Sequence, residues 1–386
     1  MLITQIDQVA PALGQTLRTL APVHDADALW PLLERLLTAH APSGGAALAG
    51  GIGDVIATLA DELGLAGRVH PLGATGNVAL RVGSEGQTPD VVIVAHMDRP
   101  SYRVQDAVSG AIFPISATRF PHGEYRVPAK AVRVQDGRLV VGAEGTLIAQ
   151  TPDNGAVTLR FETTHGALDW RDTVLMNPSP KRTGARVVGT GLDNCLGTLT
   201  ALLSAAALRA VEPQLQELGL QCLFVFSDLE EGPPQGFFGH GAARLTYAVP
   251  PPKRGCVVVD AQTVGEGPGP ALGGGVNYGA ASGWGRGSVV PPHALALALD
   301  LIADFDVHRP GTVTPNRGYI SRSDDMALTR WAPVLALVGP PITDPHTGFE
   351  AAQLGDIQGG AWYLAYFLAA MLGIAPEIAA RYALRR

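Results

Sequence analysis

Apolar residues in this chain gather into short unbroken runs, and each run is followed by an acidic or imidazole side chain. The runs at residues 91–95, 222–226, 256–259 and 334–338 show no polar alternation, as expected of strands buried on both faces. The first delivers His96 and Asp98, the second Glu230 and Glu231, and the third Asp260. The fourth is followed by a proline-rich loop carrying His346. Pro233 and Pro234 forbid a helix directly after the glutamates, so the pair stands at the carboxyl end of its strand. In open α/β sheets that edge is where ligands bind. Between these runs, the alanine- and leucine-rich residues 196–210 predict a helix with Asp193 just before it.

The remaining pattern divides the chain. Residues 1–24 form a weakly amphipathic lead segment. Residues 25–42 predict a helix with Asp25 or Asp27 as cap and a core-facing stripe of Leu29, Leu32, Leu33, Leu36 and Leu37. A glycine-rich turn, a second helix over 54–63 and two short strands over 67–72 and 77–82 follow, without the GxGxxG of a nucleotide site. From residue 102 to 186 the texture changes to short β-patterned pieces, at 131–134, 138–141, 146–149 and 157–161, separated by turns such as QDGR and PDNG. That segment predicts a small β-barrel or sandwich, whose His122 and His165 read as surface residues. The expected fold is α/β: a mixed, mostly parallel central sheet flanked by helices, built from residues 1–101 and 187–386, with a β-rich insert over 102–186.

Composition narrows the function. A net charge of -7 with 16% charged residues gives no basic footprint for nucleic acid. No apolar run reaches the length of a membrane span. The amino terminus carries Asp7 and no basic region, so a cytoplasmic location is expected. Cys195, Cys222 and Cys256 are an odd number in apolar surroundings and read as buried reduced thiols.

The strand ends supply the chemistry. Two neighbouring carboxylates do not both ionise near a core unless a cation meets them. One Asp at a helix start is more often a cap than a ligand. Four apolar strands that end in carboxylate or imidazole, together with Asp193, instead match the ligand chemistry of zinc, cobalt or manganese.

In order, the HxD strand end, a later lone Asp, a Glu-Glu pair, another Asp and a late His resemble the co-catalytic metallopeptidases. The long interval between His96 and Asp193 leaves room for an inserted domain, whereas Asp260 and His346 are too close to hold one. The chain therefore looks like the glutamyl aminopeptidase-type family, which includes the tetrahedral aminopeptidases, over nearly its whole length. TGN at 75–77, GPGPALGGGVNYG at 267–279 and PHTGFEAAQLGD at 345–356 are further similarities.

The resemblance implies a zinc-peptidase-like fold and a metal-dependent aminopeptidase acting on peptides, forming homo-oligomers through the insert. It implies two divalent ions, zinc first, with cobalt or manganese as alternatives. Asp193 would bridge them, His96 and Asp260 completing one site and Glu231 and His346 the other. Glu230 would be the general base, and Asp98 would hydrogen-bond the outer ring nitrogen of His96. Asp324 and Asp325, in a loose match to a Gly-Thr-Asp region, would hold the substrate amine, Asp325 first; a solvated turn is the alternative reading. An amidohydrolase of the carboxypeptidase or deacylase type and a non-catalytic metal-binding homologue are the alternatives. Two departures stand out: Arg99 and Pro100 after HMD, which would place a cation near the metals, and the long turn GPPQGFFGHG after Glu231.

Overall fold

The structure is a computed structural model, and it describes residues 1–22, 25–117, 119–153, 156–232, 239–264, 269–283, 286–319 and 323–384. The four apolar runs form the centre of a sheet that is eight-stranded among the described residues. In strands Val91–His96, Gln221–Ser227, Gly255–Val259 and Val334–Gly339 every residue is buried, because helices or loops cover both faces. Val91–His96 lies between Gln221–Ser227 and Gly255–Val259, parallel to both, and Val334–Gly339 runs parallel beyond. The flanks turn the sheet mixed: Val78–Gly83 and Val276–Gly279 pair antiparallel to their inner neighbours. His96 pairs with Ser227, and the Met97 amide continues the ladder by donating to the Ser227 carbonyl. Both chains therefore leave the sheet at one edge, side by side.

Helices Leu192–Arg209 and Leu354–Leu372 are buried almost all round, and Ser204 Oγ on the first donates to the Ala361 carbonyl on the second at 3.4 Å. Trp362, Tyr363, Tyr366 and Phe367 fill the space beneath the sheet. The lead segment is part of this core. It forms helices Leu2–Val9 and Pro11–Leu20, which bury Ile6, Leu13 and Leu17 completely. Each such side chain contributes about 1.5–3 kcal/mol, which is why helices too short to persist alone in water form here. Trp362 Nε1 donates to the Ala21 carbonyl and the Tyr366 hydroxyl to Asp7, so polar groups also tie this segment down. Asp25 caps helix Ala26–Thr38 by accepting from the amides of Asp27 and Ala28. Among the described residues no helix is long and apolar enough to cross a membrane.

Strands Ser101–Asp106, Ala111–Pro114, Gly123–Gln135, Arg138–Thr151, Thr158–Gly166 and Thr173–Met176 close into a barrel. The short pieces expected at 131–134 and 138–141 are the facing ends of two much longer strands, which pair antiparallel along their length. The barrel has its own apolar centre, around Tyr102, Val127, Leu147 and Phe161. His122 and His165 are exposed on its surface.

Candidate metal centre

Each side chain at the sheet edge is held by a local device. Asp98, fully buried two residues past His96, accepts from the Glu230 amide at 3.1 Å with Oδ1. Its Oδ2 accepts from the Glu231 amide at 3.2 Å and from Ser43 Oγ at 2.6 Å. It thereby sets the backbone of both glutamates. Asn77 of the TGN motif steadies the same turn: its Oδ1 accepts from the Asp228 amide and its Nδ2 donates to the Gly241 carbonyl. Asp193 is presented by the start of helix Leu192–Arg209, where the Asp193–Asn194 peptide is cis. Asn194 ties that start to the Asp260 strand, donating to the Val259 carbonyl at 2.7 Å and accepting from the Ala261 amide at 3.2 Å.

These devices bring the predicted residues together. His96 Nε2 lies 3.2 Å from Asp193 Oδ1 and 3.3 Å from Asp260 Oδ1. His346 Nε2 lies 3.5 Å from Asp193 Oδ2 and 3.2 Å from Glu231 Oε2. Asp193 thus offers one oxygen to each of two imidazole–carboxylate pairs. Glu230 Oε2 is 3.8 Å from His96 Nε2.

The electrostatics of this cluster are unbalanced without a cation. Burial pushes Glu230 well above the usual carboxylate range, and repulsion from Asp260, Asp324 and Asp193 adds to it against the pull of His96. Burial does the same to Glu231, reinforced by Asp193 and Glu230. Burial opposes protonation of His96, yet Glu230, Asp193 and Asp260 outweigh it and hold the ring well above its ordinary value. Burial would also raise Asp193, but hydrogen bonds from His346 and His96 bring it below normal. Glu231 Oε1 is buried without a hydrogen-bond partner, and Asp260 Oδ1 has a poorly aligned approach of His96 Nε2 at 3.3 Å, a costly state for a carboxylate oxygen. His96, Asp193 and Glu231 can place one ligand atom each within 4.8 Å of one another. Nitrogen and oxygen donors, poorly satisfied oxygens and excess negative charge all fit a divalent cation.

Several expectations change. Asp98 contacts His96 Nδ1 through its backbone carbonyl at 3.3 Å, while its carboxylate is 3.7 Å away and engaged with the glutamate amides. Both oxygens of Asp325 are already engaged. It is fully buried, one oxygen accepting from the Ser323 amide and the other from the Ser282 hydroxyl and the Ser288 amide. Its neighbour Asp324 is the acid near the site. Asp324 accepts from the Ser227 hydroxyl, leaves Oδ1 without a partner, and is pushed up to about 7 by burial. Arg99 turns away from the centre. Its guanidinium donates to the Leu36 and Leu37 carbonyls at the end of helix Ala26–Thr38 and approaches Cys195 Sγ at 3.5 Å, satisfying carbonyls a helix end leaves open. Cys195, Cys222 and Cys256 are buried free thiols. Most of the long turn after Glu231, residues 233–238, lies outside the described residues.

One central residue was not anticipated. Glu350 is completely buried and clamps two ligand backbones: Oε1 accepts from the His346 amide at 2.9 Å, and Oε2 from the amides of Leu192 at 2.7 Å and Asp193 at 3.3 Å. Burial raises its pKa well above normal, and repulsion from Asp193 adds to this against the three amides. The available signal was an acid four residues after His346, inside an otherwise apolar segment.

Solved structures share this architecture. A TET aminopeptidase from a marine-sediment archaeon, Thaumarchaeota archaeon SCGC AB-539-E09, matches 92% of this chain and 99% of its own with a TM-score of 0.69 at 14% identity. The fold is that of the TET aminopeptidases. An aminopeptidase from the archaeon Desulfurococcus kamchatkensis matches 89% of this chain and 94% of its own, with a TM-score of 0.65 at 16% identity. The TET1 peptidase of Pyrococcus horikoshii, which can assemble into a tetrahedron or a large octahedral shell, matches 87% and 98% with a TM-score of 0.63 at 14% identity. No protein-family model and no curated protein matches the sequence.

Proposed function

We propose that this chain is a metal-dependent aminopeptidase that removes the amino-terminal residue from peptides. The observation that carries the reading is Asp193, whose two oxygens each face a separate imidazole–carboxylate pair. His96, Asp193 and Asp260 would hold one divalent ion and Asp193, Glu231 and His346 another, zinc first, with cobalt or manganese as alternatives. Two such ions supply Lewis-acid polarisation of the scissile carbonyl and acidify water. Water oxygen bonds to the carbonyl carbon, the C–N bond breaks, and Glu230 carries the proton from water to the departing amine. Asp98 serves by fixing the amides of Glu230 and Glu231.

A cavity of about 380 Å³ opens beside the His346 loop, walled by Phe120, Pro121, Val264, Pro345 and Phe349 with Arg119 at its lining. It is the proposed site of a substrate side chain. The catalytic domain is built from the residues on either side of the barrel; the inserted unit spans Ser101 to Met176 rather than 102–186, since Lys181–Thr183 pairs with Arg186–Gly189 and that strand with Glu350–Gln353, and copies associate through it in the cytoplasm. The test is a panel of aminoacyl-anilides and short peptides, assayed after chelation and reconstitution with zinc, cobalt or manganese. Hydrolysis of free-amine substrates that requires metal and fails on amino-terminally acetylated ones is expected. Equal cleavage of blocked peptides would assign the chain to amidohydrolases of the carboxypeptidase or deacylase type.

A further inference from the structure

The two halves of the centre are supported from different parts of the molecule. His96 and Asp260 end or directly follow interior strands of the sheet. Glu231 and His346 sit on turns, and the barrel packs against both turns. His346 Nδ1 donates to the Ala117 carbonyl at 3.0 Å, which leaves Nε2 as the nitrogen facing Asp193 and Glu231. The Tyr125 hydroxyl, on barrel strand Gly123–Gln135, accepts from the Gly348 amide at 3.1 Å, and its ring meets Phe349 edge-on at 6.1 Å. A Cβ at Gly348 would lie 2.5 Å from Val127 Cγ2 and 2.7 Å from the Tyr125 hydroxyl. A Cβ at Gly232, next to Glu231, would lie 2.5 Å from the Ile115 carbonyl oxygen. Both ligand-bearing turns therefore carry glycine where the barrel closes on them.

We propose that the barrel is a working part of the metal centre: through the Ala117 carbonyl and the Tyr125 hydroxyl it aims His346, so that affinity at the Glu231–His346 half depends on the barrel while affinity at the His96–Asp260 half does not. Tyr125 is accordingly a positioning residue. The inference rests on the metal-centre reading above, and it adds a role for the barrel beyond contacts between copies.

Metal-free full-length protein is titrated with Co²⁺, followed by visible absorption, and with Zn²⁺, followed by calorimetry. The wild type takes up two equivalents. In Tyr125→Phe, which keeps the ring and loses the hydroxyl, one equivalent retains its affinity and the other weakens by up to about 10-fold, the lower end of what losing a direct outer partner of a ligand costs, because the hydroxyl holds the Gly348 amide two residues from His346. Turnover of Tyr125→Phe falls at limiting metal and recovers in excess metal with KM unchanged, a rescue that general loosening of the fold would not give. Gly348→Ala, which forces the turn off the barrel, weakens the same equivalent. Unchanged affinities in both variants, or equal weakening of both equivalents, overturn the proposal. A wild type that binds no metal at all instead overturns the metal-centre reading, and this inference with it.

Discussion

The His96–Asp260 half and the His346–Glu231 half of the centre contain similar donors but are built by different means. The first grows from strands whose every residue is buried and whose register is fixed by parallel neighbours. The second stands on turns with left-handed backbone, φ 60° at Leu229 and 65° at His346. Each such residue costs about 1–3 kcal/mol and persists only where its surroundings impose it. Here the surroundings are Asp98, Glu350 and the barrel. Secondary structure places one half, and a network of hydrogen bonds places the other.

The largest effect comes from the residue both halves share. Asp193→Ala should lose both ions and reduce turnover to background, checked by elemental analysis of the purified protein. Retention of one ion would show that the halves are less joined than the geometry implies. Glu230→Gln should keep both ions and lose at least ~100-fold in turnover, since removing a general base typically costs 10²–10⁴-fold. Metal content measured beside kcat separates these two variants.

Glu350→Gln sharpens the contrast between the halves. It replaces a carboxylate that accepts three amides with a group that also carries an NH₂, so one donor faces another. A loss of about 1–3 kcal/mol in urea unfolding is expected, with the His346 half weakened most because the His346 amide loses its acceptor. A variant as stable as the wild type would remove Glu350 from the account.

A last effect, on the pH profile of stability alone, concerns the seam between the barrel and helix Ala26–Thr38. Lys130 is buried and donates to the Thr38 carbonyl at 3.2 Å. Burial, aided by Arg99, brings its pKa down from 10.5 to about 7. Between those values the unfolded chain binds the proton and the folded one releases it, so this group makes stability rise with pH from about 7 to 10.5. Lys130→Met should flatten that part of the urea-midpoint profile, and an unchanged slope would contradict the assignment.

The sequence announces the donors of both halves but not what holds them in place. Unbroken apolar runs mark strands buried on both faces, and whatever follows each run must emerge at the sheet edge. His96, Glu230, Glu231 and Asp260 were legible for that reason. Glu350 was not, because its partners are backbone amides at 192, 193 and 346, which carry no side-chain signature. Arg99 misled because proximity in sequence to His96 says nothing of direction. Its amide donates to the Ala41 carbonyl and its side chain follows the chain back to the end of helix Ala26–Thr38. Asp325 misled in the same way, since three hydrogen-bond donors distant in sequence or hidden in a turn satisfy it. The lead segment reads as weakly amphipathic only when taken as one stretch, because it is two short helices broken at Ala10 and Pro11; each buries one face, and that face belongs to the main core.

The central claim is that two cations share Asp193. Anomalous diffraction at the zinc edge from crystals of the zinc-loaded protein tests it directly. Two peaks about 3.5–4 Å apart, one among His96, Asp193 and Asp260 and one among Asp193, Glu231 and His346, are predicted. A single peak away from Asp193, or none in a crystal grown with zinc, would contradict it.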